Sequence, residues 1–101
     1  MKTIVVRYEV KPDRANENQK LVEQVFAELH ELDLTGFGYA AFRLEDGVTF
    51  VHIVREVAES EPALSEVPAF KFFVEGIVER CAQPPVAMQA TVVGSHRFFA
   101  D

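Results

Sequence analysis

At 101 residues the chain is one small domain, with 49% apolar and 26% charged residues, a composition that excludes a disordered tract and a second domain with its own pocket. Sixteen acidic against ten basic residues give a net charge of −6, with the basic residues scattered along the chain. That balance repels phosphate backbones and anionic membranes and argues against nucleic acid and membrane partners.

The first predicted element is "TIVVRYEV", residues 3–10, which alternates Ile4, Val6, Tyr8 and Val10 against Thr3, Val5, Arg7 and Glu9. This is a strand whose second face is only half polar. It lacks a signal peptide's long apolar region and cleavage site, and no apolar run approaches the roughly 20 residues that cross a bilayer, so a cytoplasmic location is expected. The spacing then becomes helical, with Leu21, Val25, Leu29 and Leu32 in line and Val22 and Phe26 beside them. Pro12 and Asp13 supply the start and Gly36 the stop. Glu17, Lys20, Glu23, Glu28 and Glu31 read as a solvated face.

"GFGYAAFRL" and "VTFVHIVREV" are strands joined by "EDGV", a hairpin signal. With Asp46 and Gly47 as the turn, Glu45 pairs with Val48, Arg43 with Phe50, Ala41 with His52 and Tyr39 with Val54. One face then holds Ala40, Phe42, Leu44, Val51 and Ile53, suited to lie under helices. The other holds Tyr39, Arg43, Phe50, His52, Val54 and Glu56, aromatic and polar together. "AESEPALSE" is a loop with an irregular turn around Pro62, and its paired Glu59 and Glu61 read as solvated. A second helix starts at Pro68, turns Phe70, Phe73 or Val74, Ile77 and Cys81 toward the core, and ends at "AQPP". Cys81, the single cysteine, has no disulfide partner and reads as a small buried hydrophobe. A fourth strand alternates Val86, Met88, Ala90 and Val92 against Gln89, Thr91, Val93 and Ser95.

The order is therefore βαββαβ, a ferredoxin-like α+β fold in a single domain over residues 1–101, its four-stranded antiparallel sheet carrying two helices on one face. The other face would expose Val5, Tyr39, Phe50 and Val54. A second copy covering it, sheet to sheet, makes a homodimeric α/β barrel the expected assembly.

"VVRYEVKPD" opening into a helix, the "FRLEDGVTFVHI" hairpin, "VPAFKFFVEGI" and a last strand ending "VGSHRF" together resemble the antibiotic biosynthesis monooxygenase family of the dimeric α/β-barrel superfamily. The resemblance covers nearly the whole chain and implies a homodimer. Its members range from cofactor-free quinone-forming oxygenases to haem-degrading enzymes and small decarboxylases or isomerases. The haem-degrading branch uses an asparagine early in the first strand, a tryptophan near the second helix and an iron-ligating histidine on that helix. This chain has Ile4 or an apolar neighbour in the first place, no tryptophan, and no histidine between Pro68 and Cys81. The resemblance thus implies cofactor-free oxygenase chemistry on a small aromatic or polyketide-like molecule, with no cofactor, and leaves a non-catalytic ligand-binding or scaffold dimer as the alternative.

His52 and Tyr8 are the candidate catalytic residues. A neutral imidazole mid-strand, sharing a face with Tyr39 and Arg43, has the pKa range to take a proton from a phenol. On the same placement His52 is instead a polar element of the dimer interface, bonded to Glu56, Glu9 or a tyrosine. Tyr8 faces the helices, where its hydroxyl can orient an aromatic ligand or simply pack in the core. Tyr39, Arg43, Phe50 and His96 are candidate substrate contacts, His96 at a cleft mouth or merely solvated. His30 reads as surface, and the three histidines share no metal-ligand spacing, so no metal site is expected.

Overall fold

A computed structural model describes residues 2–56 and 63–99. Its elements are β1 (Lys2–Val10), a 3-10 turn (Pro12–Arg14), α1 (Ala15–Leu32), β2 (Phe37–Arg43), β3 (Thr49–Glu56), a second 3-10 turn (Leu64–Glu66), α2 (Pro68–Glu75), α3 (Ile77–Arg80) and β4 (Cys81–Ala90). The strands form one antiparallel sheet in the order β2-β3-β1-β4. This is the ferredoxin-like architecture, with the helices on one face. The Pro62 turn and the Glu59–Glu61 pair lie outside the described residues.

The hairpin register is the expected one: Arg43 opposes Phe50, Ala41 opposes His52 and Tyr39 opposes Val54. Its connection is longer than two residues. Gly47 N–H bonds the Leu44 carbonyl at 3.0 Å, Leu44 N–H bonds the Thr49 carbonyl at 2.9 Å, and Gly47 takes φ +79°, where a Cβ is strained. The Asp46 carboxylate accepts from the Thr49 hydroxyl and from the Thr49 and Val48 amides, which holds its pKa below the usual aspartate value.

Which hairpin face meets the helices is the reverse of the sequence expectation. Tyr39, Phe50, His52 and Val54 lie inward with Tyr8 and Val10, beneath α1 and α2. Ala40, Phe42, Val51 and Ile53 point outward with Val5. The cause is the pairing with β1, where Tyr8 opposes Phe50 and Val6 opposes His52. Tyr8 and Val6 belong to the core face, so their partners share it. His52 is therefore not an element of the outer sheet face.

Several element ends also differ from expectation, β4 among them, which stops at Ala90 before Val92, Val93 and Ser95. α1 stops at Asp33, in the left-handed conformation (φ 52°, ψ 46°) with its N–H on the Leu29 carbonyl, three residues before Gly36. The second helix breaks at Gly76 into α2 and α3, and Phe73 rather than Val74 faces the core. β4 begins at Cys81, five residues before Val86, and contains Pro84 and Pro85. Those prolines fall in an edge strand at a register shift between Arg7 and Glu9, where a missing N–H breaks no ladder bond. Cys81 is consequently a half-buried strand residue, and burial raises its thiol pKa. Glu28 is more than a solvated charge: its carboxylate accepts from Ala69 N–H at 3.2 Å and supplies the start of α2 with the cap its own side chains lack.

On the outer sheet face Val86 and Met88 are 57% and 68% exposed. The segment after β4 brings Phe98 and Phe99 against Phe42, with ring centroids 6.4 and 5.9 Å away. Among the described residues no helix is long and apolar enough to cross a membrane.

Candidate functional site

β1 and β3 place Tyr8 and His52 side by side on the inner face, and β2 brings Tyr39 to the other side of the imidazole. Tyr8 Oη lies 2.8 Å from His52 Nε2, and Tyr39 Oη lies 2.6 Å from His52 Nδ1. Both ring nitrogens are thus engaged. From α1, Asn18 Nδ2 donates to Tyr8 Oη at 2.9 Å. From the end of α3, Arg80 Nε donates to Asn18 Oδ1 at 3.0 Å and Arg80 Nη2 donates to the Phe73 carbonyl at 2.8 Å. The result is one chain of side chains, Arg80–Asn18–Tyr8–His52–Tyr39, running through the layer between sheet and helices.

The chain is buried along most of its length: Asn18 is 0%, Tyr8 2%, His52 3% and Arg80 3% exposed, while Tyr39 is half-buried. Every buried polar side-chain atom among the described residues has a partner. Aromatic rings enclose it. Phe50 stacks on Tyr8 (5.6 Å, 8°), Phe73 stacks on His52 (5.5 Å, 18°), and Tyr39 sits between Phe26 (4.9 Å, 14°) and the edge of Phe70 (6.2 Å, 82°). Arg80 enters because residue 76 is glycine, where a Cβ would stand 2.8 Å from Nη1. Its guanidinium lies 5.2 Å over the Phe73 ring.

The electrostatics follow from burial. Desolvation lowers the His52 pKa from 6.5 to about 4, so the imidazole is neutral at pH 7. The same desolvation raises both tyrosines well above their ordinary value of 10, outweighing the Asn18 hydrogen bond that favours ionised Tyr8. Burial also draws the Arg80 pKa down. The site is a neutral hydrogen-bonded strip with one buried cation at its end.

Four of the six residues expected from the sequence, Tyr8, His52, Tyr39 and Phe50, come together here. Arg43 and His96 do not. Arg43 is exposed, bonded to the Gly47 carbonyl, Asn16 and Gln19, and lies 5.7 Å over the Phe50 ring, tying the hairpin to α1. His96 is exposed in the segment after β4. Asn18 and Arg80 were not among the expected site residues, although each continues an apolar stripe, Asn18 with Val22 and Val25, Arg80 with Phe73 and Ile77. A polar residue in register with a buried stripe was the available signal. Among the described residues no three His, Cys, Asp or Glu side chains converge on a metal position.

No protein-family model and no curated protein matches the chain. Solved structures do. An antibiotic biosynthesis monooxygenase superposes with a TM-score of 0.68 at 17% identity, covering 93% of this chain and 100% of the other. The chain has the fold of the antibiotic biosynthesis monooxygenases. Rv0793 from Mycobacterium tuberculosis aligns with a TM-score of 0.71 at 15% identity, covering 93% of this chain and 96% of its own. SnoaB, a cofactor-independent oxygenase from Streptomyces nogalater, aligns with a TM-score of 0.65 at 16% identity, covering 93% and 94%.

Proposed function

We propose that the chain is a homodimeric, cofactor-independent monooxygenase acting on a small aromatic, polyketide-like molecule held between sheet and helices. The observation that carries the proposal is the Tyr8–His52–Tyr39 chain, buried at one end and half-buried at Tyr39, between Phe26 and Phe70. A flat aromatic ligand suits such ring faces, and the Tyr39 hydroxyl gives it one polar contact. The substrate supplies the electrons: a ring CH2 and O2 become C=O and water, the carbon losing four electrons and the two oxygen atoms gaining them. The protein contributes orientation and exclusion of water, with His52 and Tyr8 holding Tyr39 in place. The second copy covers the outer sheet face, where Val5, Val51, Ile53, Val86 and Met88 form an apolar surface.

Oxygen uptake with anthrone, measured above its spontaneous autoxidation, tests the reading. Accelerated uptake that falls at least tenfold in Tyr39→Phe and His52→Leu, with folding kept, is expected. Absence of acceleration rejects it. One observation favours a second reading, a ligand-binding dimer without turnover: both His52 nitrogens are already engaged within the chain, which leaves no free basic nitrogen. That reading predicts a rise in Tm with anthraquinone and no oxygen uptake.

A further inference from the structure

The buried chain of hydrogen bonds has a direction, and its far end sets it. A guanidinium has only donors, so Arg80 Nε–H must give to Asn18 Oδ1, which fixes the amide with its NH2 toward Tyr8. Tyr8 Oη accepts that N–H. Its own proton has one remaining partner among the described residues, His52 Nε2 at 2.8 Å, and Tyr8 is too buried to turn the proton to water. Nε2 is then the acceptor nitrogen of a neutral imidazole, so Nδ1 carries the proton and gives it to Tyr39 Oη at 2.6 Å. The opposite direction would leave the buried Tyr8 proton without an acceptor among the described residues, a desolvation penalty with nothing to offset it.

We infer that Arg80 and Asn18 are positioning residues that hold His52 as its Nδ1–H tautomer and so turn the proton of half-buried Tyr39 outward, making Tyr39 a hydrogen-bond donor to the ligand. The ligand group met there is an acceptor oxygen, a carbonyl or the oxyanion of a phenol or enolate. This assignment of the ligand group rests on the proposed function; the tautomer does not.

Long-range 1H–15N correlation spectra of the labelled protein read which ring nitrogen of His52 bears the proton. Protonated Nδ1 with bare Nε2 is expected in the wild type; protonated Nε2 overturns the inference. Asn18→Asp supplies the decisive variant. A carboxylate beside Arg80 is nearly isosteric and can only accept, so Tyr8 must donate to it, Tyr8 must accept from Nε2–H, and the His52 tautomer inverts. Retention of the Nδ1–H form in folded Asn18→Asp overturns the inference. A merely structural Asn18 would move stability and leave the tautomer unchanged. Should the variant not fold, the wild-type spectrum still decides. No ligand enters these spectra, so absence of oxygen uptake with anthrone leaves them standing, and the wrong tautomer leaves the anthrone assay standing.

Discussion

The two faces of the sheet carry opposite chemistry, and not in the arrangement that solvent exposure alone would suggest. On the inner face a buried histidine, a buried tyrosine and a half-buried one join an asparagine and an arginine from the helices in one satisfied chain, whereas the outer face presents valines, an isoleucine and a methionine. Polar groups inside a core are tolerated only when each finds a partner, because an unpaired one costs more than the bond is worth. Aliphatic groups outside suit the second copy proposed to cover them. The comparison teaches that the inner face is built for specificity, and on the proposed function the outer face serves association.

The contrast can be broken from either side. Phe73→Ala removes the ring that stacks on His52 and lies under Arg80, and is expected to cost about 4 kcal/mol in urea unfolding. Arg80→Met leaves the Phe73 carbonyl and the Asn18 amide oxygen unpaired, an expected loss of about 3 kcal/mol in the same experiment. The pH dependence sharpens the inner face further. His52 has its folded pKa depressed below the unfolded one, so the unfolded state binds more protons between about 4 and 6.5. Its contribution is therefore fully present above pH 6.5 and lost as pH falls toward 4, on the order of 3 kcal/mol in all. His52→Gln should flatten that limb of the stability profile. Gly47→Val, at φ +79°, is expected to cost about 1–2 kcal/mol at a position remote from both faces. Met88→Asp on the outer face should change unfolding by less than about 0.5 kcal/mol yet turn the proposed dimer into a monomer in sedimentation. An unchanged sedimentation coefficient in that variant would remove Met88 from the interface.

Much of the architecture was legible in the residues. Alternation marked β1, the apolar stripe marked α1, and Asp46–Gly47 set the hairpin register correctly even though the connection is longer than a two-residue turn. The facing of that hairpin was misread because Tyr39, Phe50 and His52 look amphipathic beside Val51 and Ile53. The choice was decided by pairing with β1, a contact of more than 40 residues' separation that local pattern does not encode. Pro84 and Pro85 read as a helix stop, since a proline pair inside a strand is tolerated only at an edge and a register shift. His52 and Tyr8 stood out by residue type, but their connection through Asn18 and Arg80 depends on where two helices end, which spacing alone leaves open.

The most direct test of the account is an NMR titration of the His52 ring carbons. With the imidazole buried between two tyrosines beneath the helices, it should stay neutral through pH 5 and show a midpoint near 4. A midpoint near the ordinary histidine value of about 6.5 would place His52 in water and contradict the buried chain on which the account rests.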